Sequence, residues 1–280
     1  MLNESIKPRY KQTELGLIPE DWDLITYEDA FDFLATASYS RSQLSNNEEI
    51  LYVHYGDIHT KWNHFLDLSK HELPSIECYQ RKNFPFIKEG DLIVADASED
   101  YEGICKSVEV KNIGTKKVIS GLHTFLLRDK NNKFVNNFKG YINSNNLIKN
   151  QFNRLATGLK VYGITKTNLK GVLIPYPKPV EQHAISQVLN ETDELISLLN
   201  KLIIKKKNIK QGVMQELITG KRRLNGFTKE WKTKKIKELG QVTTGSTPST
   251  KVRDFWNGDI PWVTPTDICD KKNIIETERA

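Results

Sequence analysis

Val180–Arg223 reads VEQHAISQVLNETDELISLLNKLIIKKKNIKQGVMQELITGKRR. Ile185, Val188, Thr192, Leu195, Leu199, Leu202, Lys206, Ile209 and Val213 step through it by three and four residues, with Leu189, Ile196, Ile203 and Leu217 alongside. That spacing predicts one long helix whose apolar stripe is wider than a two-position coiled-coil seam. Pro175, Pro177 and Pro179 bar helix before about residue 180. Gly220, followed by Lys221, Arg222 and Arg223, reads as the stop, where cations suit the carbonyl end of the helix dipole. At about 1.5 Å per residue the rod is roughly 60 Å long. Periodicity alone fits a long core helix or a generic homodimer coil, so the flanking sequence has to choose.

The chain has 280 residues, enough for one large or two ordinary domains, and its 38% apolar content supports a real core. A net charge of +6 suits a polyanionic partner without requiring one. Cys78, Cys105 and Cys269 are far apart, odd in number and without metal-ligand spacing. They argue for a reducing, cytoplasmic setting. The opening MLNESIKPRYK lacks a signal-peptide core and no apolar run is long enough to span a bilayer, so no membrane association is expected.

From about Leu15 to Tyr176 the pattern predicts a strand-rich α+β domain. Trp22 reads as an anchor that docks the opening segment on a sheet. LITYEDAFDFLA fits a strand or a short helix, and ILYVHYGDI (Ile50–Ile58) a strand rich in β-branched and aromatic residues. FPFIKEGDLIVADAS, SVEVKNI, KVISGLHTFLLRD and GVLIPYP supply further strands, and Tyr141–Thr157 is the best internal helix.

After the long helix the sequence begins again. LNGFTKEWKTKKIKELGQVTTGSTPS from Leu224 aligns with LGLIPEDWDLITYEDAFDFLATASYS from Leu15, placing Phe227, Glu230 and Trp231 on Ile18, Asp21 and Trp22. IPWVTPTDI (Ile260–Ile268) matches Ile50–Ile58 at nearly the same distance from its tryptophan. Two landmarks at a matched separation mark a repeat of roughly 210 residues, too long for a solenoid. It reads as a second copy of the domain, represented by about its first third.

TELGLIPEDW, GDLIVADASEDYEG, TGLKVYGITKTNLKGVLIPYPKPVEQHAI, KKKNIKQGVMQELITGKRRL and GFTKEW occur in that order. With these motifs the chain resembles the DNA-specificity subunit of type I restriction–modification systems. The resemblance implies an α+β fold: a strand-rich mixed target-recognition domain (1–177), a long coiled-coil-like spacer helix (178–223) and the start of a second similar domain (224–280). It also implies a non-catalytic subunit in which each domain reads one half of a split site in double-stranded DNA. The helices of such subunits set the spacing and dock modification (methyltransferase) subunits. S-adenosylmethionine, ATP and Mg2+ are then expected on the modification and restriction (translocase–nuclease) subunits and none on this chain.

A full member completes both recognition domains and adds a second helix, whereas the second domain here is expected to be cut short. Two chains pairing antiparallel as a homodimer would rebuild the full subunit. The stripe that would pair them is Ile185, Val188, Leu189, Leu195, Ile196, Leu199, Leu202, Ile203, Ile209 and Leu217. A coiled-coil interaction protein that never touches DNA, and an inactive or phase-variable remnant of a specificity gene, stay open as alternatives.

Direct readout needs loop donors and acceptors at base edges, with cations and hydroxyls on phosphates. Three loops qualify. Ala35–Gln43 offers Ser38, Tyr39, Ser40 and Arg41, and TTGSTPSTK stands at the matching place in the second copy. HYGDIHTKWNH offers His54, Tyr55, His59, Thr60, Lys61 and Trp62. TGLKVYGITK offers Thr157, Gly158, Lys160, Tyr162 and Lys166. Each side chain alone reads most simply as a solvated loop residue; as a group on a rigid sheet they are expected to contact DNA. His54, His59 and His64 recur every five residues, which matches neither a helical face nor a zinc pair. Asp96 with Glu109-Val110-Lys111 has the outline of a nuclease's acidic pair plus lysine but lies in ordinary strand sequence. No adenine-gripping Asn-Pro-Pro-aromatic tetrapeptide and no glycine-rich nucleotide loop is present, so catalysis is not expected of this chain.

Overall fold

Short alternating strands build most of the first part of the chain. The computed structural model describes residues 9–46, 48–77, 83–256 and 258–268, and the chain divides into two units, Met1–Lys205 and Lys206–Ala280. Cys78 and Cys269 lie outside the described residues.

In the first unit β1 (Tyr10–Thr13) and β2 (Gly16–Pro19) form an antiparallel hairpin. β3 (Asp23–Thr26) gives way to one helical turn, α1 (Tyr27–Ala30), because the Thr26 hydroxyl accepts the Asp29 N–H. The chain then extends again as β4 (Phe31–Leu34), so the ambiguous LITYEDAFDFLA is strand and helix in turn. β5 (Ile50–Val53) stops at His54, whose Nδ1 accepts the Gly56 N–H and caps α2 (Tyr55–Thr60). The strand expected over Ile50–Ile58 is therefore half helix: a side-chain acceptor offers the backbone a turn in place of a ladder.

β6 (Phe65–Asp67), β7 (Ser75–Ile76), β8 (Leu92–Ala95), β9 (Ala97–Ser98), β10 (Ser107–Lys111), β11 (Lys117–Ser120) and β12 (Thr124–Asp129) follow. The main sheet runs β4-β12-β8-β10-β6 and is antiparallel except at β10–β6; a second runs β11-β5-β7. β8 is covered on both faces. Leu92 and Val94 join Tyr27, Phe31 and Phe152, while Ile93 and Ala95 join Ile58, Trp62 and Val108. An all-apolar strand without alternation is what two buried faces select.

α3 (Lys139–Ile142) and α4 (Asn146–Leu155) close the first of these clusters. The single helix expected over Tyr141–Thr157 breaks at Asn143–Asn145. Asn143 turns inward to Tyr27 and the Cys105 carbonyl, and Asn145 Oδ1 caps the Leu147 N–H. β13 (Tyr162–Gly163) pairs with β9, α5 (Lys166–Lys170) follows, and β14 (Leu173–Tyr176) pairs with β3, tying the end of the domain to its beginning.

α6 (Pro179–Ile218) is a continuous helix of 40 residues, ended by Gly220 at a φ of 71°. Its first turns are held by polar locks. Gln182 is buried, accepts the Val135 N–H and donates to the Pro177 carbonyl. The Trp22 indole N–H donates to Glu181 at 2.8 Å, so Trp22 ties the opening segment to the helix, while Asp23–Thr26 just after it pairs with β14. Tyr141 donates to Asp193 at 2.8 Å. Ile185 packs against the core, whereas Val188, Leu195, Ile196, Leu199, Leu202, Ile203 and Ile209 are about half exposed or more. Among the described residues no helix is long and apolar enough to cross a membrane.

In the second unit the described residues form no strand, yet helical turns recur in register with the first copy. Ile236–Glu238 stands where α1 stands, and α7 (Pro265–Ile268) begins where α2 begins. Positions that match the first core are open: Phe227 is 64% exposed where Ile18 is 1%.

Candidate nucleic-acid interface

Three loops far apart in sequence meet on the first unit. The loop Ala35–Gln43 ends in a 3-10 turn, Arg41–Gln43, with Ser40 and the Gln43 carboxamide hydrogen-bonded to each other. Arg41 Nη2 reaches from that turn to Asp57 Oδ1 on α2 at 2.7 Å and to His54 Nδ1 at 3.3 Å. Lys61 closes on the same carboxylate at 3.2 Å. Asp57 is 2% exposed, while Arg41 and Lys61 stay in solvent, so a buried anion fixes two surface cations in place. Ser38 is exposed beside them; Tyr39 is half buried, its ring 6.1 Å from that of Tyr52.

The second loop is α2 with the residues that follow it, and burial sorts them. Tyr55 and His59 are only partly buried, whereas Ile58 and, just beyond the helix, Trp62 are buried. Trp62 is 3% exposed and packs in the core, which removes it from the DNA-contact candidates. Thr60 donates its hydroxyl to the Gly56 carbonyl, and Lys61 faces solvent. Tyr55 stacks on His54 at 4.9 Å and meets His123 edge-on at 5.3 Å. His123 in turn contacts Asp96 at 3.1 Å. Burial, with Arg41 next in weight, holds His54 below its usual pKa; burial raises that of Asp96 against the pull of His123.

β9 joins the second loop to the third. His59 Nε2 donates to the Ala97 carbonyl at 2.9 Å, and Ala97–Ser98 pairs with Tyr162–Gly163. Thr157 and Gly163 exchange backbone hydrogen bonds at 3.0 and 2.9 Å, closing a loop with Lys160 exposed on it. Gly158 lies at a φ of 142° where an added Cβ would collide with the Val161 carbonyl, so only glycine lets this loop close. Lys166, just beyond, is exposed and lies 5.5 Å from the Phe33 ring centroid. The face therefore has an imidazole and phenol centre with Arg41 and Lys61 fixed beside it on Asp57, and the third loop adds the exposed cations Lys160 and Lys166.

Sequence patterns missed Tyr101, Lys106, Ser107 and His123, and singled out Asp96 only as part of a nuclease-like outline. They line or border a cavity of about 810 Å³ beside α2 that also takes in Asp100, Glu102 and Lys149. The motif GDLIVADASEDYEG holds several of them but advertises no periodicity.

The residues outlined as a nuclease set have separate partners. Buried Glu109 accepts the Asn137 and Gly140 N–H groups at 2.9 and 3.0 Å and pairs with Lys139. Lys111 lies over the Phe65 ring, and Asp96 faces His123. His64 packs against Tyr141 at 4.6 Å and lines the cavity beside α2 together with His59. Among the described residues no group of three or more His, Cys, Asp or Glu could hold a metal ion.

The family model described as type I restriction modification DNA specificity domain matches residues 19–208 and 228–279. The type I restriction enzyme MjaIX specificity subunit of Methanocaldococcus jannaschii is 54% identical over 46 residues, 16% of this chain and 11% of the relative. The putative type I restriction enzyme MjaX specificity subunit of the same organism is 28% identical over 243 residues, 83% of this chain and 52% of the relative. A solved structure concerned with complex assembly and conformational transition of the type I R-M system aligns with a TM-score of 0.51 at 15% identity. It covers 71% of this chain and 46% of that one, a likeness of fold. This chain spans about half the length of the curated relatives that it matches over long alignments.

Proposed function

Because the chain belongs to the type I restriction–modification DNA specificity family, we propose that its first unit reads one part of a split sequence in double-stranded DNA. The observation that carries this reading is the convergence of Arg41, Tyr55, His59, His123, Lys160 and Tyr162 through buried Asp57 and the β9–β13 pair. Donors and acceptors at the centre suit base edges, and the surrounding cations suit phosphates. The chain does no chemistry in this scheme. Methyl transfer to adenine and DNA cleavage belong to modification and restriction subunits that carry S-adenosylmethionine, ATP and Mg2+.

The half-exposed stripe of α6 is the docking surface, for modification subunits and for a second copy of the chain laid antiparallel. Apolar side chains in such a row cost free energy in water and mark an interface. A helix also turns the distance between two reading surfaces into a fixed length.

Co-expression with a modification subunit, followed by genome-wide mapping of methylated adenine, tests the reading. A palindromic split motif means two copies of the first unit pair; an asymmetric one means another chain supplies the second half. A complex that forms and methylates no split motif defeats the proposal.

A further inference from the structure

The cavity beside α2 is built from both ends. At its floor is Ser107, the first residue of β10. Val108 and Val110 turn to the apolar core, and strand alternation sends Ser107 and Glu109 the other way. Ser107 is 4% exposed and its Oγ has no hydrogen-bond partner. A buried hydroxyl left unpaired is costly enough that native proteins seldom keep one without a reason.

At the mouth is the loop Ser98–Gly103, carrying Asp100 and Glu102 into the lining. The loop is stiff. Asp100 Oδ1 accepts the Gly103 N–H at 2.6 Å, a Cβ on Gly103 would collide with Ser98 Oγ, and Tyr101 packs its ring on Tyr162 at 4.1 Å. Lys106 is tied to the His59 carbonyl at 2.9 Å, and Tyr55 supplies an aromatic wall. A volume of about 810 Å³ lies in the range of small-ligand sites.

Charge and depth select the ligand. Glu99, Asp100 and Glu102 at the mouth accept hydrogen bonds from an amino group, and Lys106 and Lys149 on the same lining are left for the ring's acceptors or a flanking phosphate. A base still stacked in a duplex presents only its edge and cannot reach a floor as buried as Ser107, whereas a base rotated out of the stack can. We propose that the cavity receives one DNA base swung out of the helix, an adenine or cytosine held by its exocyclic amino group against Asp100, Glu102 and the Ser107 hydroxyl. The inference rests on the DNA-reading role proposed above. The sugar and phosphates of that nucleotide stay outside, on the side of Lys160.

The test uses the complex with the modification subunit and duplexes carrying its mapped methylation motif, with one base at a time replaced by an abasic site in either strand. At one adenine or cytosine other than the methylated adenine, removing the base weakens binding about tenfold. Removing its pairing partner at the same position tightens binding, because the cost of unpairing is gone. Ser107→Val shrinks that loss to about threefold or less, and Glu102→Gln, which leaves the buried strand untouched, does the same. The proposal is overturned if only the methylated adenine shows the opposed pair of effects, or if both variants keep the wild-type profile. A complex that neither methylates a split motif nor binds DNA in a salt-dependent way overturns the DNA-reading role, and this proposal with it.

Discussion

Arg41 Nη2 lies 2.7 Å from Asp57 Oδ1, so the cation at the tip of one loop is positioned by a carboxylate buried on another element. The same carboxylate holds Lys61 at 3.2 Å and leaves Oδ2 without a partner. Arg41→Ala should therefore cost about 1–3 kcal/mol of stability as well as DNA affinity, because the carboxylate keeps its burial and loses its best donor. Urea unfolding measures the first and a binding titration the second. Unchanged unfolding would mean that Lys61 alone satisfies Asp57.

Leu199 and Leu202 are about half exposed on α6. Leu199→Asp or Leu202→Asp is expected to abolish self-association and capture of the modification subunit, while unfolding of the first unit shifts by less than about 0.5 kcal/mol. Sizing with light scattering reads the association; retained assembly would remove the stripe from the interface.

Lys160 is exposed on the loop closed by Gly158. Its replacement by alanine should weaken binding by a similar factor on every DNA sequence and lower the slope of log affinity against log salt by about one. A change confined to one base position would instead make Lys160 a base-reading residue.

Glu109 and Lys139 are both buried and paired at 3.4 Å. Glu109→Gln leaves the ammonium without a counter-ion and weakens the acceptors for Asn137 and Gly140, at a cost of about 3–5 kcal/mol. Denaturant midpoints at constant m-value are the measurement.

Burial, then the Arg41 cation, depresses the pKa of His54, and burial depresses that of His64. Both return to about 6.5 in the unfolded chain. Below that pH the unfolded chain binds protons that the folded chain refuses, so stability present at neutral pH is lost as the pH falls. Asp96, raised by burial, works the other way, but only in the more acidic range where carboxylates titrate. Melting should drop between about pH 7.5 and about pH 5.5, and His64→Gln should flatten part of that slope. A flat profile in the wild type would contradict it.

Much of the fold was legible because it is written locally. Pro179 and Gly220 bracket α6 as their backbone restrictions require, and the strands β8, β10 and β12 lie where apolar runs predicted them. The errors have local causes too. His54 traded half of a strand for a helix by capping Gly56, and Asn143 and Asn145 cut one helix into two by spending their side chains on other backbone groups. Trp62 was misplaced because the chain leaves α2 after Thr60 and turns this side chain into the cluster around Val108 and Leu66, a burial that no local pattern announces.

The long helix, most of the strands, the repeat that sets Trp231 on Trp22, and the family were legible in the sequence alone, since periodicity, punctuation and motif order are properties of neighbouring residues. The reading face and its cavity were decided only in three dimensions. His123 meets Asp96 across 27 residues, Lys106 meets the His59 carbonyl across 47, and Tyr162 joins Ser98 through a strand pair. Such contacts come from non-local strand pairing around β8. No residue in them carries a local pattern that names its partner, because what brings the partners together is burial of apolar surface elsewhere in the chain.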